Sequence, residues 1–430
     1  MVLTADEDAQ HLIALGRTLT DNISTYLESL GSSGLPPPSF RPGTATAVPT
    51  ESVGFNAHRA IIDAAERIIA LTTGPAGLYD ISRQSFEVTA INIAVDLNLP
   101  LVLPLAQPMS AQQLAVITGA DETIIVRIMR ALTPLFIFEE ISPQTYRHTA
   151  RSASMRDSGV KALMMFGGTE CMRAAAHLPE ALKDAGYQNM TEPTKTAFGR
   201  AYGTNLGFFD YLNKHPEMGV RFGDAMAGTV KLSYEVGCIA DIFPFERLAQ
   251  HGGKIVDVGG GKGHVMISIG RRYPRADLRF IVQDFASAVD TGREECPADL
   301  SHKFEWAALD FLAGEQPVKR AAAYFLRHIL HDWSDRYCAR ILKPIVAAME
   351  PSVSRLLVTD MIVPEMNAPK TLAHRDLLMM AHLAGAERTA AQYVRILKEV
   401  DPAIELVKIW ALSPSLPGCG ARVMEFVLWL

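Results

Sequence analysis

The stretch Ile255-Val256-Asp257-Val258-Gly259-Gly260-Gly261-Lys262-Gly263-His264 constrains this chain more than any other. Ile255 to Val258 read as a short buried strand, and the glycines let the backbone turn sharply and approach a ligand closely. Val265, Met266 and Ile269 then recur at helical spacing until Pro274 ends the run. Strand, glycine turn and helix start together form the place where an α/β fold receives a nucleotide-like ligand. The same residues also suit a tight turn with no ligand. A G-x-G-x-x-G fingerprint begun at Gly259 fails at its last position, His264, and Lys262 is followed by Gly263 where a phosphate loop needs Ser or Thr after Gly-Lys. Pyrophosphate nucleotides are therefore disfavoured. An acid on the strand (Asp257) followed by Gly-Gly-Gly-x-Gly suits an adenosyl ligand with an amino-acid tail, for which S-adenosylmethionine is the natural candidate.

After Gly253 the pattern alternates strand and helix, which predicts an α/β fold with a parallel sheet. The expected strands are 254–258, 278–283, 304–309, 322–326 and 355–359. A last pair, 405–410 and 422–429, joined through Ser413-Pro414-Ser415-Leu416-Pro417-Gly418, reads as an antiparallel hairpin. Ligands of such sheets sit outside the carboxyl ends of the strands. The polar residues obey that rule strand after strand: the glycine turn, then Asp284, Asp310, the pair Arg327 and His331, and Asp360. Asp284 follows at the spacing where an acid takes ribose hydroxyls. Asp310-Phe311 suits an adenine ring, with Phe311 as an apolar wall, and Arg327 suits the carboxylate of a methionine tail.

His331-Asp332-Trp333-Ser334-Asp335 is the second informative stretch. Histidine accepts a proton near neutral pH, and an acid on one ring nitrogen leaves the other free as a base. Asp360 and Glu387 are the acids available to orient it. Ser334 reads as the cap of the next helix, whose apolar stripe is Cys338, Ile341, Leu342, Ile345 and Met349. Pro344 inside it implies a kink, or an early start at the proline. His328 and His382 are the rival histidines, and His328 reads as structural.

Upstream, Leu12, Leu15, Leu19, Ile23, Tyr26, Leu27 and Leu30 mark one face of a first helix that needs a partner. Residues 31–53 form a linker containing Pro36-Pro37-Pro38. A second helix puts Ile61, Ala65, Ile68 and Ile69 on one face. Between Val88 and Thr149 a helix leads into the capping box Ser110-x-x-Gln113, then a helix capped by Asp121 with Ile124, Ile125, Ile128, Met129 and Leu132 facing inwards, then two strands around Ser142-Pro143. That order is a winged helix. Its second helix offers only Arg127 and Arg130 as cations, and the chain carries a formal charge of −6, so nucleic-acid binding is disfavoured and a dimerising role preferred. The segment from Val160 to Phe245 is helical and rich in Met and aromatic residues. No apolar run reaches transmembrane length, and the N-terminus lacks a signal pattern. The five cysteines have no metal-ligand spacing and suit a reducing compartment, so a cytoplasmic protein is expected.

Taken together, Asp-Val-Gly-Gly-Gly-x-Gly, Gln283-Asp284, Leu326-Arg327-x-x-Leu330-His331-Asp332-Trp333-Ser334-Asp335 and Gly385-Ala386-Glu387-Arg388-Thr389 resemble the S-adenosylmethionine-dependent O-methyltransferases. The likeness is to the caffeate/flavonoid type and to its fungal secondary-metabolite branch of the sterigmatocystin kind, and it covers the whole chain. It implies a Rossmann-like methyltransferase domain and an α-helical winged-helix domain that builds a homodimer. The division expected is an N-terminal helix over 1–30, the linker over 31–53, a helical dimerisation and lid domain over 54–235, and a cofactor-binding catalytic domain over 236–430. The resemblance makes His331 the base that deprotonates a phenolic hydroxyl, flanked by Asp360 and Glu387. Cofactor positions are Asp257, Gly259, Gly261, Asp284, Phe285, Asp310, Phe311 and Arg327. Candidate acceptor contacts are Asp332, Met379, Met380 and His382. The chain departs from the common pattern at Asp360, usually Glu and thus one bond longer, at Ala386, usually Lys, and at Arg327, often Lys. Fungal members resembling the family include pericyclases, which bind the cofactor yet steer a cyclisation. His331 and Glu387 favour methylation of a small-molecule acceptor, and the departures keep cyclisation open as the alternative. No metal and no membrane partner are expected.

Overall fold

A computed structural model describes residues 5–44, 48–49, 52–232, 239–411 and 422–429. It divides into two compact units: Met1–Ala176 with Phe209–Tyr234, and His177–Phe208 with Glu235–Leu430. The excursion 177–208 thus sits with the second unit although it falls inside the 54–235 segment expected as one domain.

In the first unit the helices Ala5–Ser32 and Ser52–Thr73 pack together over Tyr26, Leu30 and Ala57. The expected stripe is only partly covered, since Leu12, Ile23 and Leu27 remain exposed, and so does Ile69 on the second helix. Phe40, in the linker, stacks on Phe136 at 5.2 Å and accepts a backbone hydrogen bond from Ala150. The helices Gln84–Asp96, Ala111–Thr118 and Glu122–Leu132 enclose a core with Leu99, Leu114, Ile125, Met129, Leu132 and Phe138. Ser110 and Gln113 form the reciprocal capping box, and the Asp121 carboxylate accepts from Thr123 N–H. Ile124 was expected inside and is 44% exposed, because the buried arc of that helix is narrow and centres on Ile125 and Met129. Strands β1 (Met109–Ser110), β2 (Phe138–Ser142) and β3 (Thr145–His148) form an antiparallel sheet ordered β1-β3-β2. This completes the helix–helix–helix–hairpin order. A turn Gly167–Cys171 buries Glu170, which pairs with Arg221.

The second unit is built on a seven-stranded sheet. Its strands are β4 (Lys254–Val258), β5 (Arg279–Asp284), β6 (Phe304–Ala308), β7 (Ala323–Arg327), β8 (Arg355–Thr359), β9 (Ile404–Ala411) and β10 (Arg422–Leu428), in the order β6-β5-β4-β7-β8-β10-β9. β4 to β8 are parallel, and β10 runs antiparallel to both β8 and β9. The connecting residues Ser413–Gly418 of the expected hairpin turn lie outside the described residues. Both faces are covered, which is why the strands read as unbroken apolar runs. Val256, Val258, Tyr324, Leu326, Leu356 and Val358 face the helices Asp335–Ala348 and Ala390–Val400. Ile255, Phe280, Val282, Phe325 and Leu357 face the opposite core with Phe245, Met266 and Ile269.

The chain enters the sheet at β4, grows outwards through β5 and β6, and then returns to the other side of β4 as β7 and β8. The reversal leaves a crevice between the carboxyl ends of β4 and β7, the position where doubly wound sheets bind ligands. The helix Asp335–Ala348 continues through Pro344 rather than starting there. Ser334 stands at its N-cap but makes no cap bond: its hydroxyl donates instead to the carbonyl of Thr191, at 2.9 Å, tying segment 185–196 to the loop that carries His331.

Candidate active site

At the end of β4 the chain turns with Gly259 (φ 75°), Gly261 (φ 57°) and Gly263 (φ 70°) in the left-handed region. The N–H groups of Gly259 and Gly260 both donate to the carbonyl of Gln283. A Cβ added at Gly259 would lie 2.3 Å from Ile329 Cδ1 and 3.5 Å from Phe311 Cε1, so a side chain at this position needs both a strained backbone and a displaced Ile329. Asp257 is buried beneath it, its carboxyl pushed up to about 7 by burial and by the charge of Asp284, against the opposing pull of Arg327. Lys262 is exposed and pairs with Glu295.

Asp284 closes the turn from β5. Its Oδ2 accepts from Gly261 N–H at 2.7 Å and its Oδ1 from Phe285 N–H at 2.7 Å. Burial raises its carboxyl and these two bonds pull it back. Phe285 is half exposed. At the end of β6, Asp310 Oδ1 accepts from Leu312 N–H, and the Phe311 ring meets Trp333 edge-on at 6.2 Å. Glycine backbone, one partly exposed carboxylate at a strand end, and the rings of Phe285 and Phe311 fit a nucleoside carrying no pyrophosphate. Lys262, the one cation in the turn, is already neutralised by Glu295. Arg327 acts electrostatically on both Asp257 and His264.

On the other side of the crevice, Leu330–Asp332 form a single helical turn that buries His331. Its Nδ1 faces Glu387 Oε1 at 2.9 Å, and its Nε2 is 3.4 Å from Asp332 Oδ1. Burial pulls the imidazole down, but Asp332, the Glu387 hydrogen bond and the charge of Asp360 more than offset it and hold it at about 9. Asp332 in turn is pushed up to about 6, by burial first. Glu387, not Asp360, bonds His331. Asp360 Oδ2 accepts from the Tyr393 hydroxyl at 3.0 Å, and its Oδ1 has no hydrogen-bond partner among the described residues. One oxygen of Asp360 and one ring nitrogen each of His328 and His331 nevertheless lie within 4.8 Å of one another. The shorter side chain thus keeps its charge near the base without touching it, and burial raises its carboxyl.

Met379, Met380 and His382 lie on the helix Lys370–Leu383. The two methionines are half-buried. His382 is buried against the rings of Phe198 and Phe208, with Nδ1 turned to the Leu378 carbonyl, so its surroundings are apolar.

Three further residues shape the site. Arg388, 2% exposed, donates to the carbonyls of Leu330, Trp333 and Ala386 and pairs with Asp335, clamping both loops around the histidine. Gly385 lets those loops touch: a Cβ there would lie 2.2 Å from the His331 carbonyl, which accepts from Ala386 N–H at 2.9 Å. Arg375 reaches Glu387 and His328. Arg388 and Gly385 belong to a motif visible in the sequence. Arg375, in an ordinary helix, carries no such signal.

Residues 175–401 match the O-methyltransferase domain family, and residues 80–157 match the O-methyltransferase dimerisation domain. Among curated proteins, the chain is 34% identical over 416 residues to the O-methyltransferase xanE of Aspergillus fumigatus, covering 95% of each chain. It is 30% identical to the sterigmatocystin 8-O-methyltransferase of Aspergillus parasiticus, covering 93% of this chain and 94% of that one. Among solved structures, OxaC in complex with S-adenosylhomocysteine and oxaline superposes with a TM-score of 0.76 at 23% identity, covering 96% of this chain and 100% of that one. A pericyclic reaction enzyme superposes equally well, with a TM-score of 0.76 at 24% identity, covering 86% and 94%. The last two likenesses speak for the fold alone.

Proposed function

This chain belongs to the O-methyltransferase family, and we propose that it methylates a hydroxyl of an aromatic or polyketide-type secondary metabolite with His331 as general base. Its cofactor is S-adenosylmethionine, which when bound supplies an electrophilic methyl group. The acceptor class is supported by the sterigmatocystin methyltransferase among the relatives.

The observation that carries the base assignment is the bond from His331 Nδ1 to a fully buried Glu387 carboxylate. A carboxylate accepts only, so Nδ1 holds a proton and Nε2 is the titrating nitrogen. The acceptor hydroxyl passes its proton to Nε2 as its oxygen becomes the nucleophile. Glu387 then stabilises the imidazolium, and Asp332, beside Nε2, offers the proton a route onwards. A phenolate facing an imidazolium has the same proton count as a phenol facing an imidazole, so an acidic phenol matches a histidine held near 9. Asp257, Gly259, Gly261, Asp284, Phe285, Asp310, Phe311 and Arg327 are proposed to hold the cofactor, with Asp284 taking the ribose. Asp332, Met379 and Met380 are proposed to meet the acceptor, and His382 to support them from its aromatic nest.

We further propose a homodimer built through residues 80–157. Leu78, Tyr79, Ile81, Phe86, Val116 and Ile117 are each more than half exposed in the single chain. Apolar exposure at so many positions of this segment suits a partner surface. Among the described residues no helix is long and apolar enough to cross a membrane.

The test is to incubate the protein with isotopically labelled S-adenosylmethionine and candidate polyphenols or an extract, followed by mass spectrometry. A labelled product heavier by one methyl group supports the proposal. An isomer of unchanged mass, the cyclase outcome that the pericyclic neighbour makes worth scoring, overturns it.

A further inference from the structure

We propose that Arg375 is the positioning residue that sets the protonation range of His331 and fixes the tautomer of His328. The inference rests on the reading of His331 as the base. Arg375 Nε forms an ion pair with Glu387 Oε1 at 2.8 Å, and this is the same oxygen that faces His331 Nδ1 at 2.9 Å. The other oxygen, Oε2, is buried and has no hydrogen-bond partner among the described residues. A cation and a ring nitrogen therefore converge on one carboxylate oxygen. The neighbouring Asp376 accepts the backbone N–H of Glu387 at 2.9 Å, so adjacent residues of one helix hold Glu387 at its backbone and at its tip.

Sharing that oxygen has an electrostatic consequence. A carboxylate bonded to imidazolium alone stabilises the charged ring fully, whereas a carboxylate already paired with guanidinium stabilises it less. Three carboxylates surround His331: Asp332 on its own turn, Asp360 at the end of β8 and Glu387 on the loop before Thr389. The cations facing this cluster are Arg375 from the helix Lys370–Leu383, Arg327 from the end of β7 and Arg388 from the loop. Neutral neighbours are His328 and the Tyr393 hydroxyl. Arg327 and Arg388 are directed elsewhere, towards the glycine turn and the loop carbonyls. Arg375 is the cation that touches the orienting acid, and it keeps the base able to release its proton after each turnover.

The same guanidinium acts on a second ring. Arg375 Nη2 lies 3.2 Å from His328 Nδ1. Guanidinium only donates, so Nδ1 of His328 is the acceptor and its proton resides on Nε2. His328 sits at φ 53° with its N–H on the Thr359 carbonyl, and its ring centroid is 5.2 Å from that of His331. Burial and the surrounding cations hold it well below the usual histidine range. Arg375 thus presents a neutral ring beside the base, with a defined donor nitrogen.

The experiment is histidine 13Cε1 NMR titration of the full-length protein, with the His331 resonance assigned by its loss in His331→Gln and that of His328 by its loss in His328→Gln. In Arg375→Met the His331 midpoint is expected to rise by about one pH unit, because a like charge beside the imidazolium's partner is removed. In Arg375→Lys, which keeps the charge but not the fork, the His331 midpoint stays near the wild type while the His328 resonance shifts. An unchanged or lowered midpoint in Arg375→Met overturns the proposal. So does an unmoved His328 resonance in Arg375→Lys, which decides the matter even where the Met variant fails to fold. Methyl transfer retained by His331→Gln would reject the base assignment separately and leave the titration result standing.

Discussion

Replacing Glu387 by Gln removes one charge and keeps the shape. The side chain is fully buried, so water does not replace what is lost. In chain terms, the outcome depends on which amide atom faces His331. If the amide nitrogen did, Nδ1 would become an acceptor, the ring proton would move to Nε2, and the base would be lost, a change of about 10⁴ in rate where it occurs in catalytic triads. Arg375 prevents this. Its guanidinium lies 2.8 Å from the oxygen that also serves His331 and would repel an amide NH2 placed there, so the Gln carbonyl stays and the bond to His331 survives. What remains is the difference between a charged and a neutral acceptor, about 1.5 kcal/mol, and hence a loss of roughly tenfold in the limiting kcat. The pH profile moves as well. Glu387 contributes through both its hydrogen bond and its charge to holding His331 at about 9, so the midpoint of the profile falls in the variant, and the rate deficit is smaller at neutral pH than at high pH. Initial rates from pH 6 to 10 with labelled cofactor measure both effects. A loss near 10⁴, or a midpoint that does not fall, would refute the shared-oxygen argument.

Arg388→Met leaves the carbonyls of Leu330 and Trp333 without their donor, and urea denaturation should show a loss of about 2–4 kcal/mol, the cost of two carbonyls left unsatisfied; a loss below 1 kcal/mol would contradict the clamp. Gly259→Ala places a Cβ at φ 75° against Ile329, and its backbone strain of about 1–2 kcal/mol should weaken S-adenosylhomocysteine binding by calorimetry roughly tenfold, whereas unchanged affinity would separate the turn from the cofactor. The folded protein holds His331 at about 9, above the unfolded value near 6.5, so this stabilisation is complete below about pH 6.5 and is lost as pH rises through 9. Denaturation at pH 7 and pH 9 should show stability falling by about 2 kcal/mol, and the fall should vanish in His331→Gln.

The sheet was legible because its strands are buried on both faces and therefore stand out as apolar runs between polar strand ends. The observed limits differ from the expected ones by a residue or so, as at Arg279–Asp284 and Ala323–Arg327. The convergence of Asp284, Arg327, His331 and Asp360 followed from topology alone. What escaped the sequence was pairing at short range. Nothing in the spacing of Asp360 and Glu387 says which acid reaches Nδ1, because that depends on one methylene and on the Tyr393 hydroxyl that takes Asp360 instead. Ser334 looks like any N-cap serine until Thr191, far away in sequence, claims its hydroxyl. Ile69 and Ile124 fit an amphipathic pattern and yet face outwards, because the pattern marks a wide arc and the contact uses a narrow one. Arg375 was invisible because a helical arginine three positions past Leu372 has no local signature.

The most direct measurement is methyl transfer by His331→Gln beside its affinity for S-adenosylhomocysteine. Nε2 is the one proton acceptor assigned to the reaction, and His331 lies across the crevice from the glycine turn. Transfer of the labelled methyl should fall by at least about 10², while calorimetric affinity for S-adenosylhomocysteine stays within about threefold, roughly 0.6 kcal/mol. Transfer at the wild-type rate would contradict the account, and so would loss of cofactor binding in a variant that remains folded.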